Sequence, residues 1–299
     1  MTTTAAPLPG SSAERGIVLS FLGGLLLSFD VPLLKLSGAD TWTIIHVRGM
    51  MLFIAMFVFW FFFIRLRGNK TAFINGKTGY LIAALAGTAN IMFVASISLT
   101  SVANVVFILA FNPMFAGLLG WFFLKERLQL ATWIAIGCSL AGVLLIVADG
   151  LQLGTWQGDL LALGVAVIMA ASLTIIRYSG TNQSLSAGTG HLVSAMIAAP
   201  LAMPGTLTAA GWGWMAMNGF LVAPAATALL MIGPRYVAAA IVAMFFLLET
   251  VLTPIWMWAI FSEAPSTLSL LGGAIVIVSL IGHSLWRFKT KRTPETVPQ

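Results

Sequence analysis

Apolar runs follow one another along almost the whole chain, separated by short polar breaks. A helix needs about 20 apolar residues to cross the ~30 Å hydrocarbon core of a bilayer. Lipid cannot hydrogen-bond a bare backbone, so runs of this length are expected to be helical. The pattern predicts about ten membrane-spanning helices, at approximately 16–36, 42–64, 78–98, 101–124, 131–148, 159–178, 187–207, 213–233, 236–260 and 266–286.

Composition agrees with a chain whose solvent is lipid. Of 299 residues, 59% are hydrophobic and 8% are charged, and the mean hydropathy is +0.99. A soluble domain carries about 25% charged residues. The expected fold class is therefore an all-α membrane protein. The net charge of +6 does not indicate nucleic acid as a partner, because the basic residues sit in short clusters between apolar runs.

The lysines and arginines predict the orientation of the chain. If the N-terminus is cytoplasmic, 13 of the 15 fall on the cytoplasmic side, and the exceptions are Lys35 and Arg48. The positive-inside rule favours that arrangement. We therefore expect a multi-pass protein of the inner (plasma) membrane with both termini in the cytoplasm. Residues 1–14 and 289–299 are expected to be cytoplasmic tails, the first of them disordered.

The two halves of the chain are weakly similar to each other. A shift of 137 residues places Glu126 on Glu263 and the polar Asn112 on Glu249. The halves are predicted to be two five-helix units, at 15–150 and 151–288. Because five is odd, the second unit enters the membrane from the opposite side. Inverted repeats of this kind are typical of secondary transporters, whose binding site lies near the midplane between the repeats.

Ionisable residues inside the spans are the first candidates for function. Asp30 and Arg48 have opposite charges at similar predicted depths on the first and second spans. They could form a structural ion pair, or one or both could meet the charged ends of a substrate. Pro32, close to Asp30, is expected to kink the first helix because it lacks a backbone donor.

Glu249 is the most deeply placed acid, near the middle of the ninth span. It could be a protonated acid bonded to a neighbouring helix, or a carboxylate that binds a substrate amine or a proton. Asn112, followed by Pro113, occupies the matching place in the fourth span, and Asn90 and Asn104 add polar groups. The predicted substrate-binding residues are Glu249, Asn112, Asn90, Arg48 and Asp30.

Motifs for other chemistries are absent from the sequence. Cys138 is the one cysteine, and the three histidines do not have metal-ligand spacing, so neither a disulfide nor a metal site is expected. The sequence contains no phosphate-binding GxxxxGK[ST] loop and no convincing catalytic constellation. We expect neither a cofactor nor an enzyme.

The fourth and fifth spans resemble the EamA-type family of the drug/metabolite transporter superfamily. The resemblance rests on Ser101–Asn104, on Asn112–Gly117 and on Lys125–Leu128, with a looser second copy that contains Glu249 and Glu263. Arg48 matches an arginine common in the family's second helix. The copies depart from the pattern at Thr250, where a proline is usual, and at Ala135, where a glycine is usual.

This resemblance implies ten helices in two inverted five-helix units. It also implies a central cavity lined mainly by the first, third, fourth, sixth, eighth and ninth helices. Within the family the chain is most similar to bacterial exporters of aromatic and other amino acids.

The sequence therefore predicts a secondary transporter that exports small amphiphilic metabolites, amino acids including aromatic ones, by alternating access. Efflux of lipophilic cations or drugs is the alternative, and a membrane-embedded enzyme or scaffold is a third hypothesis. The expected partners are a small-molecule substrate and the lipid bilayer. The oligomeric state is left open, and a monomer is compatible with the sequence.

Overall fold

The computed structural model describes residues 10–66, 73–74, 76–124, 130–179, 184–232 and 239–291. Within these ranges the secondary structure is helical, which confirms the all-α class. Each of the ten predicted spans overlaps a helix or a pair of consecutive helices. Glu126 and Asn75, and most of the basic loop at 65–77, lie outside the described residues.

The first five spans are formed by seven α-helices, two of the spans being divided. Their bounds are α1 Gly10–Leu27, α2 Asp30–Leu36, α3 Thr41–Phe59, α4 Gly76–Leu99, α5 Val102–Leu109, α6 Asn112–Leu124 and α7 Leu130–Leu153. A π-helical segment, Trp60–Arg65, extends α3. Since α1 begins at Gly10, helix occupies part of the stretch expected to be a disordered tail.

The last five spans contain six α-helices. Their bounds are α8 Trp156–Ser179, α9 Ser184–Ala198, α10 Ala209–Ala216, α11 Ala223–Ile232, α12 Ala239–Phe261 and α13 Thr267–Lys291. A π-helical segment, Met217–Val222, joins α10 to α11. Helix α9, in the seventh span, ends at Ala198, whereas the span was expected to reach 207. Pro200 follows and disfavours helix at the residue before it.

Seven helices in the described part of the chain are long and apolar enough to cross a membrane. Three shorter apolar stretches accompany them, Leu185–Ala198, Leu247–Phe261 and Thr267–His283. These helices support a multi-pass membrane protein. The ten-crossing inverted arrangement stays a prediction at this point.

The first span is broken between α1 and α2, at Ser28 and Phe29. Pro32 lies in the first turn of α2, where a missing N–H is tolerated, but it leaves the carbonyl of Ser28 without its usual donor. The hydroxyl of Thr253 donates to that carbonyl at 3.1 Å, and the Trp256 indole N–H donates to the Ser28 hydroxyl at 3.0 Å. Side chains of α12 thus stabilise a break where a kink was predicted from Pro32.

The fourth span is broken as well, at Ala110 and Phe111. Helix α6 then begins at Asn112, and Pro113 is its second residue, a position that suits proline. The sequence pattern predicted one continuous helix over 101–124. The break follows from the proline, which starts a new helix more easily than it continues an old one.

Glycines bring several helix pairs into close contact. A Cβ on Gly87 of α4 would lie 2.7 Å from the carbonyl oxygen of Gly190 in α9, and a Cβ on Gly142 of α7 would lie 2.6 Å from that of Gly272 in α13. Close approach through small residues is how helices gain van der Waals contact in lipid. In this packing α4 contacts α8 and α9, α3 contacts α9, α1 contacts α11 and α12, and α7 contacts α13.

The connections that follow α2, α4, α7 and α12 meet at one end of the bundle. The Thr41 hydroxyl bonds to that of Ser98, and the Thr100 hydroxyl donates to Asp159. Lys35 pairs with Glu263 at the same end. We call it the Lys35 end, and it corresponds to the outer side in the predicted orientation.

Candidate functional site

A buried ion pair joins the first two spans. Nη2 of Arg48 donates to both carboxylate oxygens of Asp30, at 2.8 Å to Oδ2 and at 3.1 Å to Oδ1. Arg48 is 8% exposed and Asp30 is 3% exposed. Asp30 is the first residue of α2, so the break in the first span positions its carboxylate. A charge at this depth persists when it is paired, as both are here.

Three further polar side chains extend the pair into a network. Nη1 of Arg48 donates to Oδ1 of Asn90 at 3.1 Å, and Nδ2 of Asn90 donates to the Ser194 hydroxyl at 2.9 Å. Nδ2 of Asn218 donates to Oδ1 of Asp30 at 2.8 Å and to its backbone carbonyl at 2.9 Å. We call Asp30, Arg48, Asn90, Ser194 and Asn218 the central polar cluster; it joins α2, α3, α4, α9 and the π-helical segment of the eighth span.

Some buried polar atoms in and beside the central polar cluster form no hydrogen bond with a described residue. Nε of Arg48 and Oδ1 of Asn218 are buried and form no hydrogen bond with another described residue. The same holds for Nδ1 of the neighbouring His191. Unused donor and acceptor atoms therefore remain beside the Asp30–Arg48 ion pair.

Aromatic rings border the central polar cluster. The Arg48 guanidinium carbon lies 5.2 Å from the centroid of the Phe93 ring, a cation–π distance. Phe29, next to Asp30, stacks on Trp256 with the ring centroids 5.0 Å apart. The cluster therefore combines charge with flat apolar surfaces.

Glu249 of α12 lies within electrostatic reach of both Asp30 and Arg48. It is half-buried, and no described residue forms a hydrogen bond or ion pair with its carboxyl. Of the five predicted site residues, Asp30, Arg48 and Asn90 are brought into direct contact, and Glu249 lies beside them.

Asn112 is placed elsewhere. Its Nδ2 donates to the carbonyl of Ala166 at 3.0 Å, which ties the start of α6 to α8. Its neighbour Pro113 is exposed. In this conformation Asn112 is a helix-packing residue outside the central polar cluster, and its predicted role in substrate binding stays a prediction.

Comparison with known proteins bears on the part of the chain that carries most of this cluster. Residues 14–148 match the model of the EamA-like transporter family. This EamA-like region runs from α1 into α7 and contains Asp30, Arg48 and Asn90. The match is to membrane transporters of the drug/metabolite transporter superfamily. No curated protein sequence matches the chain significantly.

The fold likeness extends beyond the EamA-like region. A solved structure described only as the crystal structure of a protein superimposes with a TM-score of 0.63, over 92% of this chain and 98% of that one. The sequence identity is 17%, so this likeness concerns the fold alone. Ser194 and Asn218, which complete the central polar cluster, lie beyond the EamA-like region but within the chain that shares this fold.

A second polar network lies at the Lys35 end, where the EamA-like region meets the rest of the chain. Asp159 accepts hydrogen bonds from the Thr100 hydroxyl at 2.7 Å and from Nδ2 of Asn104 at 3.1 Å. The Ser269 hydroxyl lies 2.5 Å from Oδ1 of Asn104 and 2.9 Å from Oδ2 of Asp149. Ser266, just before α13, also bonds to Asp149.

Sequence reasoning missed both of these aspartates. Asp149 falls between the predicted fifth and sixth spans, and Asp159 is the first residue of the sixth, so neither was counted among the acids inside the membrane. The helices in fact extend to Leu153 and begin at Trp156, which places both carboxyls inside the helical bundle. Two acids ten residues apart where the fifth span ends and the sixth begins, with no basic residue between them, were the available signal.

Glu263 connects three elements at the Lys35 end of the bundle. Its Oε2 accepts from Nζ of Lys35 at 2.6 Å, and its Oε1 accepts from the backbone N–H of Val102 at 3.0 Å. Ser262, with φ of 56°, makes the left-handed turn that ends α12 and precedes this carboxylate. Lys35, one of the two exceptions to the predicted charge distribution, is therefore paired.

Asp40 begins α3 in the connection after α2. Its carboxylate accepts the backbone N–H groups of Trp42 and Thr43, each at 3.0 Å, and the Thr43 hydroxyl at 2.5 Å. Partial burial would raise its pKa, but these hydrogen bonds outweigh that effect and hold the pKa of Asp40 below its usual value. Asp40 is thus an ionised N-cap outside the predicted membrane spans.

Proposed function

We propose that the chain is a secondary transporter that exports small amphiphilic metabolites, amino acids including aromatic ones, across the inner membrane. The observation that carries this proposal is the central polar cluster. Polar side chains from five spans meet there with their charges paired and spare hydrogen-bonding groups beside them. Polar groups at such depth are costly unless they serve a site or a helix contact.

The chemistry of the cluster suits a zwitterion. The Glu249 carboxylate is the natural partner for a substrate ammonium, since no described residue bonds to it. Arg48 has a free Nε–H, and it can receive the substrate carboxylate as its hold on Asp30 loosens. The Phe29 and Trp256 rings provide an apolar surface for the side chain. These contacts favour amino acids over fully charged or fully apolar cargo.

The packing of the helices supports two inverted five-helix units. Suppose that each of the first five spans changes places with the span five positions later in the chain. The contact between α4 and α8 then becomes the contact between α1 and α11. The same exchange converts the α6–α8 contact into the α1–α12 contact, and maps the α3–α9 and α7–α13 pairs onto themselves. A neighbour pattern with this symmetry is expected from duplicated units related by a two-fold axis in the membrane plane.

Alternating access would use two groups of helices, each drawn from both five-helix units. We define the α1 group as α1, α2, α11 and α12, and the α8 group as α4, α5, α6 and α8; members pack within each group. Across the groups, α5 packs against α12 at the Lys35 end. Rocking of one group against the other would expose the central polar cluster to either side of the membrane.

A counterflow assay in proteoliposomes tests the substrate. Vesicles loaded with an unlabelled amino acid should accumulate the same labelled amino acid, and the uptake should saturate. Glu249→Gln is expected to weaken this exchange through a raised KM, because a neutral amide still accepts a hydrogen bond from the ammonium. Glu14→Gln, on the exposed start of α1, is the control and should behave as the wild type. No saturable exchange of any amino acid would contradict the substrate proposal.

Lipophilic cations are the second candidate, favoured by the same unbonded carboxylate beside aromatic rings. For a cation that carries no carboxylate, Glu249 is the counter-charge, so Glu249→Gln should abolish transport entirely. Arg48→Lys should leave cation efflux intact and impair amino acid exchange, because lysine cannot make the same two-pronged contact. The pair of variants therefore separates the two cargoes.

A further inference from the structure

The network at the Lys35 end holds two carboxylates and no basic side chain. Asp149 is 5% exposed and Asp159 is fully buried. In the described part of the chain the ion pairs are Lys35–Glu263 and Arg48–Asp30, so neither aspartate is paired with a cation. Thr100 after α4, Asn104 of α5, and Ser266 and Ser269 before and in α13 contribute hydroxyls and an amide here, none of which titrates. The other charged side chains described at this end are Lys35 and Glu263, which pair with each other, and Asp40, which caps α3.

A count of hydrogen atoms shows that the network is one proton short. Three contacts run in a row, from Asp149 to Ser269 at 2.9 Å, from Ser269 to Asn104 at 2.5 Å and from Asn104 to Asp159 at 3.1 Å. The serine hydroxyl supplies one hydrogen. The asparagine supplies a hydrogen on one side only, because the other atom of its amide is an oxygen. With both carboxylates ionised, two hydrogens serve three contacts.

The orientation of the Asn104 amide does not change this count. With Nδ2 towards Asp159, the missing hydrogen lies between Asp149 and Ser269. With the amide reversed, Nδ2 would donate to Ser269, whose hydroxyl would donate to Asp149, and the missing hydrogen would lie on Asp159. One added proton completes the row in either case.

An unpartnered oxygen points to the same ligand independently of the row. Oδ2 of Asp159 is buried, has no hydrogen-bond partner among the described residues, and packs where a Cβ of Gly150 would lie. Gly150 directly follows Asp149, so this oxygen packs against the helix that carries the other carboxyl. An ionised carboxyl with one oxygen left unpaired in such a place is costly, and the reversed orientation of Asn104, which puts the proton on Asp159, removes much of that cost.

We propose that Asp149 and Asp159 form a proton-binding site, in which the row Asp149–Ser269–Asn104–Asp159 holds one proton. The bound proton ties α5 and α8 to α7 and α13 at the Lys35 end. Its loss leaves two anions and an unfilled contact, which favours separation of these helices. A role for this proton in driving transport rests on the proposed function, whereas proton binding itself does not.

Infrared difference spectroscopy of the full chain in lipid vesicles tests proton binding without any substrate. Spectra recorded at acid and alkaline pH should show a protonated-carboxyl band that shifts in D₂O and disappears at alkaline pH. Asp149→Asn and Asp159→Asn should each remove this band, while bands from other acids cancel on subtraction. Asp40→Asn is the control, and it should retain the band because Asp40 lies outside the network.

Ser269→Ala provides a second variant that keeps both carboxyls. It interrupts the row, so the band should disappear at a different pH from the wild type. The proposal is overturned if the wild-type minus Asp149→Asn difference contains no carboxylic acid band, or if Ser269→Ala leaves the pH of disappearance unchanged. Loss of the band on adding Na⁺ at constant pH would also overturn it, in favour of a metal-cation site. A failed transport assay affects none of these readouts.

Discussion

Arg48 holds the central polar cluster together, because its guanidinium donates to both Asp30 and Asn90. Its depth and its opposite charge to Asp30 predicted a contact, and the contact exists. The roles of Ser194 and Asn218 in the same cluster could not be predicted. Small polar residues are frequent on helices, and only the packing of α9 and the eighth span against α2 and α4 brings these two to the pair.

Replacing Arg48 with methionine should strongly destabilise the fold. The substitution leaves the Asp30 carboxylate buried without its partner, a loss of about 3–5 kcal/mol for a broken buried pair. The double variant Asp30→Asn with Arg48→Met removes both charges and should recover part of that loss. Unfolding in mixed micelles under increasing SDS measures both. If the free energy of unfolding of Arg48→Met lay within about 0.5 kcal/mol of the wild-type value, the ion pair would contribute little to stability.

The lowered pKa of Asp40 predicts how the stability of the protein depends on pH. Because the folded pKa lies below the unfolded one, its stabilisation is present above the unfolded pKa and is lost as the pH falls through the folded pKa. Asp40→Asn keeps a capping oxygen and should remove this part of the pH dependence. Asp40→Ala removes the cap and should cost about 1 kcal/mol at neutral pH. Thermal unfolding as a function of pH compares the three proteins, and an unchanged pH profile for Asp40→Asn would contradict the assignment.

At the scale of the elements, the apolar runs predicted where the helices lie. They predicted less well where a helix is broken within a span. Runs of about 20 apolar residues correspond to the observed helices because the bilayer sets their length. A kink at Pro32 was predicted from proline chemistry, and the structure shows a break there; the break before Pro113 was not predicted. Whether a proline kinks a span or divides it depends on side chains from other helices, such as Thr253, whose position the pattern does not contain.

The close contact of α7 with α13 predicts a sharp difference between two glycines of the same helix. A Cβ on Gly142 would lie 2.6 Å from the Gly272 carbonyl, whereas a Cβ on Gly137 would meet nothing within 4 Å. Gly142→Ala should therefore force the helices apart and cost about 1–3 kcal/mol, as overpacking does. Gly137→Ala should be neutral or slightly stabilising, since alanine favours helix. Equal effects of the two substitutions on unfolding would argue against this packing.

At the scale of the whole molecule, the odd number of spans in each half predicts inverted halves, and this stays a prediction that the neighbour pattern supports. The sequence alignment itself was weak, because membrane helices need to conserve only small and apolar surfaces. Glu263 was matched to Glu126 on sequence grounds, but its contacts with Lys35 and Val102 come from the tertiary fold. These contacts differ in kind, since one lies within the α1 group and its attached loop and the other crosses to the α8 group.

That difference allows a test of the rocking motion with matched cross-links. In a Cys138→Ser background, Val102→Cys with Glu263→Cys joins the two groups, while Lys35→Cys with Glu263→Cys joins parts of the α1 group. Both variants lose the same carboxylate. A short thiol-specific, reducible cross-linker should abolish counterflow in the first variant, with recovery on reduction, and should leave exchange in the second. If both cross-links arrest exchange, or neither does, the division into these two moving groups is wrong, because only a bond across the groups can hold the Lys35 end closed.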